Sequence, residues 1–177
     1  MKQKKEALIT EEQIQKAVQS LGEQIQIDYQ GQQLLLVCLL KGSVLFFADL
    51  ARALQNMDIQ MDFMMVSSYH GDVIQSEDIE IRLDLHTDIE GKNILLVEDI
   101  IDSGNTLKKV ITLLKKRNPQ SLAVVSLTHK GVDVDIPAKV YTCFEVNKFI
   151  VGYGMDYMEG YRQLPYIAEM VEDDSTD

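Results

Sequence analysis

Cysteine is nearly absent. Cys38 and Cys143 are the only two, far apart in apolar stretches and without a CxxC or Cys/His ligand spacing. That argues against a disulfide framework or a zinc site and leaves reduced, buried thiols as the expectation. Long hydrophobic runs are missing as well: the longest unbroken aliphatic stretch, residues 34–40, is too short to span a bilayer and suits a buried strand. The basic residues 1–5 are followed by Glu6 and by no apolar segment before Thr10-Glu11-Glu12, so a signal peptide is not expected. The expectation is a cytoplasmic protein without a membrane partner. Basic charge is in deficit, with 17 Lys and Arg against 28 Asp and Glu and a net charge of −11. A broad electrostatic grip on nucleic acid needs a basic face, so that class of function is disfavoured. A small phosphorylated substrate is not, because a few local donors and a metal ion can hold its charge. His70, His86 and His129 lack any i, i+4 or HExxH spacing, which argues against a histidine metal site.

What is present reads as one globular unit. A chain of 177 residues, 46% hydrophobic and 25% charged, fits a single domain over residues 1–177 with one sizeable core. Thr10-Glu11-Glu12-Gln13 is a capping-box pattern, and Ile14, Ala17, Val18 and Leu21 recur at helical spacing until Gly22, which offers a C-terminal stop. The apolar run 34–40 predicts a strand buried on both faces, broken by Lys41-Gly42-Ser43 and followed by a helix over about 44–55. A strand is expected over 59–67, then a polar stretch to about residue 78 that reads as a mobile loop, then a half-exposed strand over 79–85. Strands are further expected over 94–97, 122–127, 140–144 and 149–151, with a helix carrying Leu107, Val110, Ile111 and Leu114, and a frayed tail over 172–177. Alternating strands and helices predict an α/β fold with a mostly parallel central sheet, whose ligands bind at the carboxyl ends of the strands. The methionines, Met57, Met61, Met64 and Met65 among them, read as core filler.

One segment concentrates chemistry. The strand ending at Val97 runs into Glu98-Asp99, two apolar residues and Asp102, followed by Ser103-Gly104-Asn105-Thr106 at a helix start. Backbone N–H groups at a helix N-terminus, aligned with its dipole, form an anion site to which the Ser103 and Thr106 hydroxyls add donors. Glu98 and Asp99 are hard oxygen ligands suited to Mg²⁺ or to ribose hydroxyls. No G-x-x-x-x-G-K-[ST] exists, and Gly152-Tyr153-Gly154 lacks the third glycine of a dinucleotide fingerprint.

The segment resembles the phosphoribosyl pyrophosphate motif of type I phosphoribosyltransferases, in which two acidic residues end a strand and an Asp-Ser/Thr-Gly-x-Thr loop grips the 5′-phosphate. The resemblance covers nearly the whole chain and is greatest to the hypoxanthine-guanine branch of that family, particularly its bacterial members. Leu40-Lys41-Gly42 is similar to the family's pyrophosphate loop, Ser68-Tyr69 to the start of its flexible lid, Lys130 to its purine O6 reader, and residues 149–157 with Arg162 to its base-stacking and pyrophosphate-facing segment. The chain departs from the pattern at His70-Gly71-Asp72 and in a shorter approach from Lys130 to Phe149. The resemblance implies the family's fold with a small hood and a flexible lid. It also implies transfer of the phosphoribosyl group to a 6-oxopurine with Mg²⁺, in a homodimer or homotetramer. It assigns Asp102 as general base and Ser103, Gly104, Asn105 and Thr106 to the 5′-phosphate. Glu98 and Asp99 fall to the ribose, Lys41, Gly42 and Arg162 to pyrophosphate, and Lys130, Phe149, Ile150 and Asp156 to the purine, with Glu98, Asp99 and Asp156 toward metal.

Each assignment has a plainer rival. The plainer reading of Asp102 is a cap on the following helix, but Ser103 can cap equally well and the acidic pair upstream argues for more. Glu98 and Asp99 as a solvated turn would repel one another unless a cation or ligand hydroxyls engage them. The plainer reading of Lys41 is a snorkelling surface lysine and Arg162 alone is an ordinary surface arginine, while Phe149 is a core residue unless the resemblance holds. Two other functions stay in view: an RNA-binding regulator on the same fold, which would want a basic face, and an adenine, xanthine or orotate enzyme of the same chemistry.

Overall fold

The computed structural model describes residues 1–3, 6–68, 79–131 and 134–171. In chain order the elements are β1 (Lys2–Gln3), α1 (Glu11–Asp28), β2 (Leu34–Leu39), α2 (Val44–Ala53), β3 (Ile59–Ser68), β4 (Ile79–Leu83), β5 (Asn93–Ile101), α3 (Asn105–Lys115), β6 (Ser121–His129), β7 (Lys139–Glu145), β8 (Ile150–Val151) and β9 (Ala168–Val171). The expected loop from Tyr69 to Asp78, with Tyr69 and His70, and the expected frayed tail over 172–177 lie outside the described residues.

The capping box starts α1: Gln13 N–H donates to Thr10 Oγ1 at 3.2 Å and Thr10 N–H donates to Gln13 Oε1 at 2.8 Å. Gly22 does not stop this helix, contrary to expectation. It is buried in the middle of α1, where an added Cβ would lie 2.8 Å from the Ala53 Cβ. The glycine is there because α1 and α2 cross at that point.

β2 is buried along its whole length because both faces of the sheet are covered. Leu34, Leu36 and Cys38 pack with α1 and α2, and Leu35, Val37 and Leu39 pack with α3. Truncating one of these leucines to alanine costs about 2–5 kcal/mol. Cys38 and Cys143 are both free. Burial pushes their thiols up to about 11 and about 12, as inert structural thiols require.

The main sheet runs β4-β3-β2-β5-β6-β7, parallel except for β4. From β2 the chain moves outward through α2 to β3. From β5, on the other side of β2, it moves the opposite way through α3 to β6. The direction of winding therefore reverses between β2 and β5, and the crevice such a reversal leaves lies at their carboxyl ends. β5 also runs further than expected, to Ile101. Up to Val97 it is paired on both sides, whereas Glu98, Ile100 and Ile101 pair only with β6, the pairing with β2 having ended at Cys38. The acidic pair thus stays in an extended strand while it faces the open crevice.

A second, antiparallel sheet of order β1-β9-β8 sits above the first and corresponds to the expected hood. Its strands are too short to leave a periodicity in the sequence, and only the 149–151 segment was expected. No helix among the described residues is long and apolar enough to cross a membrane.

Candidate active site

The loop after β5 holds the first half of the site. Gly104, at φ +70, is the N-cap of α3, a left-handed position that favours glycine, and neither Asp102 nor Ser103 caps the helix in that role. Ser103 Oγ only accepts a long bond from Asn105 N–H at 3.4 Å. Asp102, Ser103 and Asn105 are exposed around this helix start, the arrangement that binds anions. Asp102, freed from capping, meets Lys130: its Oδ2 lies 2.8 Å from the Lys130 Nζ at the end of β6. Lys130 is fixed from behind by its own N–H, which donates to Ile101 O at 3.0 Å.

Glu98 and Asp99 lie between this half and the next. Burial first, and the Asp99 charge second, push the Glu98 carboxyl well above the usual carboxylate range. Among the described residues neither Glu98 nor Asp99 has an ion-pair partner, although Lys41, Arg82 and Arg162 line the same cleft. Hard oxygen donors in that state fit a divalent ion such as Mg²⁺. Among the described residues no group of three or more His, Cys, Asp or Glu is placed to hold a metal, and Mg²⁺ commonly keeps several waters and is held by one or two carboxylates together with substrate phosphates.

The second half is assembled from distant segments. The Leu40–Lys41 peptide, just after β2, is cis. Gly42 lies so close to Asp99 that an added Cβ would fall 1.6 Å from Asp99 Oδ2, and a Cβ on Gly154 would fall 1.9 Å from Gly42 O. Lys41 Nζ is 3.3 Å from Glu159 Oε2. Arg162 places one guanidinium nitrogen 2.9 Å from Asp156 Oδ1 and 3.2 Å from Glu159 Oε2, and donates with the other to Gly154 O at 2.8 Å. Its Nε is buried without a partner. Asp156 Oδ2 accepts from Glu159 N–H at 2.9 Å. A cleft of about 350 Å³ opens between these groups and the acidic pair, with Ser67 and Arg82 on its far wall.

Phe149 is 43% exposed and stands edge-on to Tyr157, with ring centroids 5.8 Å apart. It is a surface platform and not the core residue that its side chain alone suggests. Next to it, Met170 N–H donates to Phe149 O. Antiparallel pairs alternate, so the following pair, Ile150 with Glu169, turns the Ile150 backbone groups away from β9. Ser68 ends β3.

The structure therefore brings together Asp102 with Lys130, Gly42 with Asp99, and Lys41 with Arg162 and Asp156 through Glu159. Sequence reasoning missed Glu159 and Arg82. Glu159 stands three residues before Arg162, a signal too common to single it out, and Arg82 looks like any charged residue of a half-exposed strand.

A strand-end acidic pair, a helix N-terminal cradle and a hood over a parallel sheet define a phosphoribosyltransferase site, and a family model described as "Phosphoribosyl transferase domain" matches residues 6–158. The chain belongs to this family and has the type I phosphoribosyltransferase fold. It is 45% identical over 172 residues to the hypoxanthine-guanine phosphoribosyltransferase of Streptococcus pneumoniae, covering 96% of this chain and 94% of that one. With its counterpart from Dictyostelium discoideum it shares 45% identity over 175 residues, 96% of this chain and 97% of the other. The crystal structure of a hypoxanthine phosphoribosyltransferase from Staphylococcus aureus superimposes with a TM-score of 0.87 at 44% identity, over 94% of this chain and 91% of that chain.

Proposed function

We propose that the chain transfers the phosphoribosyl group of phosphoribosyl pyrophosphate to N9 of hypoxanthine, and of guanine, giving IMP or GMP and pyrophosphate. The observation that carries this reading is the Asp102–Lys130 pair at 2.8 Å beside the helix cradle. N7 and O6 are neighbours on one edge of a 6-oxopurine. A carboxylate and an ammonium side by side match that edge: Asp102 accepts the N7 proton and Lys130 donates to O6.

The remaining roles are those that the family resemblance implies, and the geometry of the cleft supports them. The 5′-phosphate sits on Ser103, Gly104, Asn105 and Thr106, the ribose hydroxyls on Glu98 and Asp99, and the pyrophosphate on Lys41, Gly42 and Arg162. The base stacks on Phe149, and the backbone at Ile150 and Asp156 contacts its ring edge. As the bond at C1′ breaks, positive charge develops on the ribose and negative charge on the leaving pyrophosphate, where Lys41 and Arg162 stabilise it. Asp102 withdraws the N7 proton as N9 attacks, so no covalent enzyme intermediate is needed. Glu98 and Asp99 would hold Mg²⁺, and Asp156 a second Mg²⁺ from the other side; the metal would neutralise charge on the phosphates. Ser68 and Tyr69 begin a lid that keeps water from the reacting sugar. Residues 1–177 act as one domain in a cytoplasmic homodimer or homotetramer, without nucleic acid.

Pyrophosphate release measured with hypoxanthine, guanine, xanthine and adenine tests the reading. Adenine presents an amino donor to the Lys130 ammonium, and a site built to hydrogen-bond a substrate group rejects an analogue unable to pair by roughly 10⁴-fold. Turnover with adenine equal to that with hypoxanthine would overturn it.

A further inference from the structure

The backbone of residues 152–154 lies in the left-handed half of conformational space at three consecutive positions: Gly152 at φ +98, Tyr153 at φ +50 and Gly154 at φ +100. Glycine accepts such angles freely, but tyrosine does not. Backbone bonds hold the loop from the hood side, Tyr153 N–H donating to Leu164 O at 2.8 Å and Gly154 N–H to Arg162 O at 2.9 Å. On the other side the loop presses on Gly42, since a Cβ on Gly154 would meet the Gly42 carbonyl oxygen at 1.9 Å. Gly42 in turn presses on Asp99. The hood loop thus lies tight against the backbone of the loop after β2, and that loop against the Asp99 side chain.

A side-chain bond ties the hood loop to α2. The Tyr153 ring is buried, and its hydroxyl donates to Asp49 Oδ2 at 2.6 Å. Asp49 is steadied by Arg52, whose guanidinium lies 2.6 Å from the other carboxylate oxygen. α2 begins directly after Gly42-Ser43. Its first turn holds that loop from below, with Val44 N–H donating to Lys41 O and Phe47 N–H to Ser43 O, while Ser43 Oγ donates to Leu39 O. The loop bearing Lys41 and Gly42 is thus clasped between α2 and the hood, and the Tyr153–Asp49 bond closes the clasp.

We infer that Tyr153 and Asp49 are positioning residues, which set the place of the Lys41-Gly42 loop against Asp99 and thereby govern how tightly the pyrophosphate half of phosphoribosyl pyrophosphate is held. Neither touches substrate. The inference rests on the proposed function for the identity of that ligand. The choice of a tyrosine at a strained position follows from it: a phenol reaches across to α2 while its ring stays in the core, and phenylalanine would keep the packing but lose the tie.

The test is Tyr153→Phe, with Asp49→Ala and Asp49→Asn beside it. Loss of a hydrogen bond to a charged group should weaken phosphoribosyl pyrophosphate and pyrophosphate about tenfold in Tyr153→Phe and Asp49→Ala. The maximal rate and the KM for hypoxanthine should stay within about twofold, because those depend on the Asp102 side of the site. Asp49→Asn keeps an acceptor for the phenol and should recover part of the affinity. The double variant Tyr153→Phe with Asp49→Ala should be no weaker than either single one, since both remove one bond. A fall in melting temperature or in active fraction with unchanged affinity would make the pair merely structural and overturn the inference. Calorimetric titration with magnesium phosphoribosyl pyrophosphate reads the same affinity without turnover, and equal binding by wild type and Tyr153→Phe overturns the inference. Wild type that binds this ligand but consumes no 6-oxopurine would instead overturn the proposed function.

Discussion

The two halves of the site are built in opposite ways. The cradle half, residues 102–106, is contiguous: a strand ends, Gly104 turns the chain at φ +70, and a helix N-terminus faces outward. Its binding power lies in backbone dipoles that any sequence folding this way would supply. The pyrophosphate half joins Lys41 to Glu159 across 118 residues of chain, with its shape set by backbones that touch at Gly42 and Gly154. Its binding power lies in side-chain charges whose places depend on the hood. On the proposed roles, the contrast is between an anion site that rests on local geometry and one that rests on long-range packing, with different sensitivities to mutation expected.

The largest effect should come from the cradle side, in chemistry and not in binding. Asp102→Asn keeps the shape of the side chain but removes the proton acceptor, so kcat should fall by roughly 10²-fold or more while phosphoribosyl pyrophosphate still binds. Steady-state rates paired with calorimetry check this, and an unchanged kcat removes Asp102 from the base role.

Gly154→Ala should break the other half selectively. The new Cβ meets a backbone oxygen, Gly42 O, at a position with φ +100, so both space and conformation oppose it. A stability loss of about 1–3 kcal/mol is expected from the backbone conformation alone. Pyrophosphate should bind more than about tenfold more weakly, since displacement of the loop misplaces Lys41. Gly104→Ala sharpens the comparison. There the nearest atom is the side-chain Val134 Cγ1, at 2.4 Å, which has more room to yield. Equal losses of pyrophosphate affinity in the two variants would erase the distinction between the halves.

A smaller and opposite change is expected at Glu159, whose carboxylate competes with pyrophosphate for Lys41 and Arg162. Glu159→Gln should tighten pyrophosphate binding about threefold or more, in line with the modest worth of exposed ion pairs, and leave the melting temperature nearly unchanged. Inhibition of the forward reaction by pyrophosphate measures it, and weaker inhibition would show that Glu159 supports the ligand.

The last effect concerns Glu98, where the halves meet, and is read in stability and not in binding. Its carboxyl titrates above 4.5 in the folded protein, so Glu98 contributes most to stability below pH 4.5, and that contribution is lost as pH rises through the raised value. Glu98→Gln removes the titration. In magnesium-free buffer the variant should gain on wild type steadily as pH rises from 4.5. A melting-temperature difference that is flat with pH would contradict the raised value.

Much of this was legible from residues alone, for a physical reason. The capping box at Thr10, the doubly buried β2 and the Glu98 to Thr106 constellation are local, with spacings set by hydrogen bonds within a turn or by the strand's own period. Similarity to a known family carried the separate residues Lys41, Lys130, Phe149 and Arg162, which spacing cannot connect. The same local logic misread Gly22, which ends a helix in isolation but here admits α2 against α1. Local patterning also carried no sign of β1 and β9, whose few residues are strands only because β9 finds β1 on one side and β8 on the other.

By itself, then, the sequence determined the order of the strands and helices of the main sheet, the strand-to-helix segment that carries Glu98, Asp99 and Asp102, and the net acidic charge. These depend on neighbours along the chain and on composition. Only the tertiary structure decided that Asp102 faces Lys130, that Glu159 sits between Lys41 and Arg162, and that Tyr153 reaches Asp49 across 104 residues. Such contacts follow from which strands lie side by side and how the hood closes over them. Packing of the whole core settles that arrangement, and no single segment carries it.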